Sequence, residues 1–340
     1  MQRNNPGTGL GRSDLRLSIP SKGRLAEETI EFLKACGIEI YKPNPRQYEA
    51  TIPSIPGLTV LYQRPTDIVI SIRNGSVDFG ITGLDVLEEF RGNIGEIMLL
   101  HEALGYGKCY LALAVPENWA DVENVADLNR KVVEFERPLR VATKFPELTS
   151  RFLNANHIPF SIVSAEGTLE IAPAIGYADM ISDLVSSGQT LKDNRLRLLN
   201  DGVIQRSQSV LAANADVLKT NPQALAVARQ LLEFFEAYLR AQNNVSIFAN
   251  MRGENPEAIA ARIFAQKTIG GLNGPTISRI IHRDGDPNWY DLHIVVHRDE
   301  LFAAINELRS IGGSGVVVAP VIYIFEEEPP RYKAMLEALK

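Results

Sequence analysis

Cysteine is nearly missing from this chain: Cys36 and Cys109 are the whole supply. Two are too few for a disulfide framework, and no CxxC pair suggests a zinc site. Both read as packed thiols. Long apolar runs are missing too, so no membrane partner is expected. The opening "MQRNNPGTGLGRSD" lacks the apolar centre of a secretion signal, which makes the cytoplasm the expected compartment. There is no excess of positive charge: 35 Lys and Arg stand against 41 Asp and Glu, a net −6. That argues against a nucleic-acid partner and leaves room for a local anion site. His101, His157, His282, His293 and His297 show no metal-ligand spacing. His293 and His297 are four apart, but on a strand-like stretch, so all five read as structural.

What is present suffices for two or three domains with real cores: 340 residues, 45% hydrophobic and 22% charged. Residues 1–13 read as a mobile tail. "LRLSIP" alternates as a strand. Leu25, Thr29, Phe32, Leu33 and Cys36 then recur at helical spacing, with Ser21 as the candidate cap and Gly37 as the stop. "LTVLYQRP" predicts a strand, and "TDIVISIRNG" a helix capped by Thr66 or Asp67. "VDFGITG" and "LDVLEEF" repeat the pair. Such alternation implies a mainly parallel sheet.

A second α/β unit starts near Gly107. "CYLALAVP", "LRVATKF", "FSIVSAEG" and "ADMISDLV" are its strands. "PELTSRFLNANHI" is a helix with Pro146 in its first turn, and "TLEIAPAIG" a short one. After Asn194 the strands look as if they return to the first unit, and "PQALAVARQLLEFFEAYLRAQ" predicts a long amphipathic helix. From Asn244 to Phe325 the order β-α-β-β-α-β predicts a ferredoxin-like module.

The chemistry concentrates in "ADMISDLVSSGQTLKDN". On a strand, Asp179, Ile181 and Asp183 share a face, with the two carboxylates roughly 13 Å apart. Asp183 is nearer the loop Ser186–Thr190. Amides at a helix start, together with hydroxyls, bind phosphate without formal positive charge, and Gly188 allows close approach. An acid just before a phosphate loop suits a sugar phosphate. A solvent-facing serine–glycine turn fits the loop equally well when it is read alone.

"EIAPAIGYADMISDLVSSGQTLKDNRL" resembles the signature of the ATP phosphoribosyltransferase family, E-x-A-P-x-x-G-x-A-D-x-I-x-D-L-V-x-T-G-x-T-L. "LRLSIPSKGRL", "QRPTDI", "VDFGITGLDVLEE", "GYGKCYLALAVP" and "VATKFPELTSRF" resemble other family segments in the expected order. "GGLNGPTIS" and "LRSIGGSGVVVAPV" look like the regulatory domain of the long form. The resemblance implies a two-domain α/β catalytic part like the type II periplasmic binding proteins, plus a C-terminal ferredoxin-like (ACT-like) α+β domain. The implied divisions are 14–105 with 194–240, then 106–193, then 244–329.

The implied reaction transfers the phosphoribosyl group of phosphoribosyl pyrophosphate (PRPP) to N1 of ATP, the first step of histidine biosynthesis, with Mg²⁺ as cofactor and histidine as feedback inhibitor. By resemblance, Glu170 and Asp183 are the acid pair for the ribose. Ser186, Ser187, Gly188, Gln189 and Thr190 hold the 5′-phosphate, with Arg64 at the pyrophosphate and Asp179 in support. Lys22, Gly23, Arg24 and Lys108 contact ATP. Asn250, Leu272, Pro275, Thr276 and Ser314 contact histidine, and a homo-oligomer, dimer or hexamer, is implied. Ser187 stands where threonine is commoner, and Phe145 where tyrosine is. Residues 45–56 look like an insertion. A binding protein without catalysis and a noncatalytic regulatory relative are the alternatives. The intact acids and loop hydroxyls count against both.

Overall fold

The computed structural model describes residues 14–44, 46–92, 95–164, 167–281 and 285–340. The expected tail at 1–13, and His282, lie outside them. The chain divides into two compact units. One holds the chain up to Arg229 together with Arg331–Lys340, the other Gln230–Pro330. Among the described residues no helix is long and apolar enough to cross a membrane.

The first unit begins β1 (Leu15–Pro20), α1 (Arg24–Ala35), β2 (Glu49–Thr51), β3 (Leu58–Gln63), α2 (Pro65–Arg73), β4 (Phe79–Gly83), α3 (Leu84–Phe90), β5 (Ile97–His101). It continues β6 (Cys109–Pro116), α4 (Leu128–Phe135), β7 (Leu139–Thr143), α5 (Pro146–Ala155), β8 (Phe160–Ser164), β9 (Met180–Val185), α6 (Gln189–Asp193), β10 (Leu196–Ser207). Then come β11 (Ser209–Asn214), α7 (Ala215–Thr220) and α8 (Pro222–Gln242), which runs on into the second unit.

Two helix starts differ from expectation. Ser21 does not cap α1; Gly23 does, at φ +79°, a conformation that costs glycine little. Neither Thr66 nor Asp67 caps α2. Arg64 holds the cap position because Pro65, with preset φ and no N–H, fits the first turn. "TLEIAPAIG" forms only a 3₁₀ turn at Leu169–Ile171, since Pro173 and the positive φ of Gly176 stop a longer helix.

Two sheets result, ordered β2-β3-β1-β4-β11-β5 and β10-β6-β9-β7-β8. The first is the type II periplasmic-binding order with β2, from the apparent insertion, added at the edge. Neither sheet is all parallel. β6 runs against β9 and β10, and β11 against β4 and β5. Both are the first strand after the chain changes sheet. They therefore start at the inner end, where their neighbours finish. The return comes later than expected: β10 pairs with β6 in the second sheet, so 194–207 belongs there and β11 is the first strand back. Apolar side chains from strands and helices fill each lobe, including Ile68, Ile72, Val210 and Ala212 in the first and Leu113, Val141, Leu153 and Met180 in the second. Each fully buried leucine or isoleucine contributes about 1.5–3 kcal/mol.

The two crossovers lie side by side. The amide of Leu104 donates to Ser209 O at 2.9 Å, that of Ser209 to Tyr106 O at 3.0 Å, and that of Gly105 to Gln208 Oε1 at 3.2 Å. Tyr106 packs on Phe32 with ring centroids 5.1 Å apart, and its hydroxyl bonds Thr29.

The second unit contains β12 (Asn244–Arg252), α9 (Pro256–Phe264), β13 (Thr276–Arg279), β14 (Trp289–His297), α10 (Leu301–Ser310) and β15 (Ser314–Pro320). The sheet is antiparallel, ordered β13-β14-β12-β15, which is the ferredoxin-like arrangement. Ile259 and Ile263 of α9, with Ala304 and Leu308 of α10, pack against Ile247, Leu292 and Ile294. On the opposite face His293 stacks on Phe248 at 4.5 Å and bonds Ser246 Oγ at 2.7 Å, a packing role. Sequence reading missed α11 (Pro330–Ala338), whose Met335 is buried.

Candidate active site

In both lobes the parallel strands end at the cleft between them, the usual place for ligands on open α/β sheets. β9 delivers Asp183 there, half-buried, with its Oδ1 accepting from the Leu184 amide at 2.8 Å. Burial pushes this carboxyl above the ordinary carboxylate range, and the negative charge of Glu170 adds to the rise. The Leu184 amide and the Lys144 ammonium pull it back. Three charged groups thus converge: Glu170 from the 3₁₀ turn, Asp183 from β9, and Lys144, the residue after β7. Thr143 pairs with Ser182, so Lys144 follows the residue in register beside Asp183.

The loop after β9 turns at Gly188, which takes φ +75° and caps α6. The Gln189 amide donates to Ser187 Oγ at 3.4 Å. Ser186, Ser187, Gln189 and Thr190 are exposed. First-turn amides have no intrahelical acceptor, so this loop presents donors and hydroxyls outward.

Opposite stand the first lobe's cations. Arg24 opens α1 and makes an exposed ion pair with Glu28 at 3.6 Å. Lys22, Arg64 and Lys108 are exposed, with no ion-pair partner among the described residues. A cavity of about 260 Å³ joins the lobes, bounded by Arg24, Pro65, Asp85, Cys109, Val185 and Ser186. Asp85 is buried and accepts from Ser207 Oγ at 2.5 Å; burial raises its carboxyl. Cys109 is half-buried, its thiol pushed up to about 11 by burial and then by Asp85.

The chain matches the ATP phosphoribosyltransferase (HisG) family over residues 64–236 and the HisG C-terminal domain over 241–323. It is 43% identical to ATP phosphoribosyltransferase 2, chloroplastic, of Arabidopsis thaliana, over 97% of this chain and 82% of that one. The chain belongs to the ATP phosphoribosyltransferase family. An ATP phosphoribosyltransferase of Rhodopseudomonas palustris (strain HaA2) is 31% identical over 95% and 98% of the two chains. The solved ATP phosphoribosyl transferase (HisG:HisZ) complex of Thermotoga maritima is similar at 26% identity and TM-score 0.51, covering 65% of this chain and 98% of that chain. Family membership carries the first step of histidine biosynthesis, and the C-terminal domain implies feedback by histidine.

Of the expected site residues, Arg24 and Ser186 line the cavity between the lobes, Arg64 adjoins its wall at Pro65, and Glu170 acts electrostatically on Asp183. Asp179 takes no part in this. It lies at the outer end of β9, buried, where Arg137 Nη1 and Nη2 donate at 2.6 and 2.9 Å. The Arg140 amide and Nη2 add bonds at 2.7 and 2.9 Å. Burial alone would raise this carboxyl, but the arginines hold it well below the usual range. Asp179 is therefore structural here, a correction to the expected supporting role. It borders a larger cavity of about 740 Å³ with Trp119, Phe135 and Arg140. Size does not make that cavity the ATP phosphoribosyltransferase site, because it lies at the end of the sheet away from Asp183 and the loop.

The expected histidine contacts divide. Asn250 on β12 pairs with Ser314 at the start of β15, whose Oγ donates to Asn250 O at 3.4 Å. Leu272, Pro275 and Thr276 lead into β13, on the other side of β14. Two strand spacings, about 10 Å, separate β13 from β12. Lys144 and Asp85 were not singled out from sequence. The available signal for Lys144 was its place just after a parallel strand, inside "VATKFPE".

Proposed function

We propose that phosphoribosyl transfer runs in the cleft. Asp183 and Glu170 accept hydrogen bonds from the PRPP ribose hydroxyls, and Ser186–Thr190 holds the 5′-phosphate. Lys144 and Arg64 meet the pyrophosphate. Lys22, Arg24 and Lys108 receive ATP, with Gly23 letting the loop approach it closely. The β7–β9 register that sets Lys144 beside Asp183 just before the loop, with Glu170 near enough to raise the Asp183 carboxyl, carries this reading. The adenine N1–ribose C1 bond forms as the C1–oxygen bond to pyrophosphate breaks, through an oxocarbenium-like state. The acid pair fixes the ring and places negative charge near it. The cations receive the charge that leaves with pyrophosphate.

Among the described residues no group of three His, Cys, Asp or Glu could hold a metal. Mg²⁺ carried on substrate phosphates needs only one or two carboxylates, and Glu170 with Asp183 meets that requirement. When bound it neutralises pyrophosphate charge. The separated histidine contacts favour a site completed by a second copy, in a homo-oligomeric dimer or hexamer. Light scattering with and without histidine tests that. The proposed compartment is the cytoplasm. The Arabidopsis relatives are named chloroplastic, and cell fractionation decides between the two.

The direct test supplies ATP, PRPP and Mg²⁺ and follows the ultraviolet absorbance of phosphoribosyl-ATP. Product from the wild type, with kcat/KM for PRPP lowered in both Asp183→Asn and Lys144→Met, is expected. Unchanged PRPP kinetics in both variants would overturn the site reading.

A further inference from the structure

We propose that Glu89 is a positioning residue for phosphoribosyl transfer: from the first lobe it caps helix α5 of the second and so sets where Lys144 stands beside the acid pair. The inference rests on the cleft reading above and goes beyond it, because Glu89 belongs to neither the loop nor the cationic set.

Helix α5 has no cap of its own. Phe145 occupies the cap position and its side chain offers no oxygen. Pro146, in the first turn, has no N–H to satisfy. The amides of Glu147 and Leu148 donate instead to Glu89, to Oε1 at 2.8 Å and Oε2 at 3.0 Å. The Phe145 amide goes to Thr143 Oγ1 at 2.9 Å, and that of Thr149 to Phe145 O at 3.0 Å. Every amide at this helix start therefore has an acceptor, and a carboxylate from the other lobe supplies two of them.

Glu89 is only 7% exposed, so its place depends on those amides. A buried carboxylate without hydrogen-bond donors is costly. Val86, three residues earlier on the same face of α3, packs with Leu111, Phe145 and Leu148. Val86 and Glu89 together seat the start of α5. Lys144 lies between two fixed points, the β7 register at Thr143 and this seated helix start. Any shift at Phe145–Glu147 moves the Lys144 backbone.

Glu89→Gln keeps the size and turns one acceptor into an NH₂ facing an amide donor. The expected loss in kcat/KM for PRPP is about 10- to 100-fold, with KM for ATP changed less than about threefold. Lys144→Met alone also lowers kcat/KM for PRPP. In the Lys144→Met background Glu89→Gln costs little more, because its effect passes through Lys144. Glu89→Asp, which keeps the charge, recovers part of the loss. Full additivity of Glu89→Gln and Lys144→Met, or normal PRPP kinetics in Glu89→Gln, overturns the proposal while leaving the cleft reading intact. An inert Lys144→Met overturns its assignment to the cleft and this proposal with it. If Glu89→Gln is partly unfolded by its melting curve, the same cycle is run below that transition, where it is folded, with the same criteria.

Discussion

Arg140 grips Asp179 twice, from its backbone amide to Oδ2 at 2.7 Å and from Nη2 to Oδ1 at 2.9 Å. With Arg137 on the remaining positions, the carboxylate has nothing left to offer a ligand. Asp179→Asn should therefore cost stability rather than substrate binding. Breaking a buried pair costs more than an exposed one, and the arginines here are about two-fifths exposed, so about 2 kcal/mol is expected. Differential scanning calorimetry should show Tm lower by about 4–8 °C. KM for PRPP should be unchanged at a temperature where both proteins are folded.

Asp183 predicts the opposite pairing. Its folded carboxyl lies above the unfolded value of about 3.9, so the folded state binds the proton more tightly. The associated stability is present at low pH and declines as pH rises through the raised value. Asp183→Asn removes the buried charge and should leave Tm equal or higher. It should also lower kcat/KM for PRPP about 10- to 100-fold by losing charge-assisted hydrogen bonds. The acid limb of the wild-type pH–rate profile should lie above the ordinary carboxylate range and should be altered in the variant.

Arg331 on α11 donates Nε to Glu102 Oε2 at 2.8 Å, at the start of the first crossover. The arginine lowers the Glu102 carboxyl to about 2. The stability this pair contributes is present above the unfolded glutamate value of about 4.3 and is lost as pH falls toward 2. Both groups are partly exposed, so Arg331→Ala should cost only about 1 kcal/mol at neutral pH. The difference from wild type should shrink in high salt and vanish near pH 2. A constant difference across pH in urea melts would show that lost packing, not charge, is responsible.

Much of the fold was legible because the periodicities are strong and the breakers well placed. The apolar alternation of β1, the Pro146 start of α5 and the β-α-β-β-α-β order all survive in the structure. The later return of the chain was not legible. β10 looks the same in sequence whichever sheet it joins, and its pairing with β6 is a long-range choice. At the site, Asp183 could be placed from its position before the loop. Asp179 was misplaced because its partners, Arg137 and Arg140, come from β7 and the loop before it. Glu89 was hidden for the same reason: a cap taken from another lobe leaves no mark near the helix it caps.

Removal of the regulatory sheet can be done in two ways that differ in outcome. Truncation after Asn243 also removes α11, which belongs to the first unit and buries Met335. Excision of residues 244–329 with a short linker keeps it. The excised protein should melt at a higher temperature than the truncated one, and it should lose histidine inhibition. Equal melting temperatures would mean that α11 contributes nothing to the catalytic unit.

The two crossovers differ in length. The first spans Glu102 to Lys108, with positive φ at Gly105 and Gly107, whereas the second is Gln208 alone between β10 and β11. Strand side chains alternate faces with a period of two. One residue inserted beside Gln208 and taken up as a slip of the strand would turn every side chain of β11 to the opposite face of its sheet, and Ser209–Asn214 is buried along its whole length. Insertions and deletions in homologous genes should therefore gather in the first crossover and spare the second.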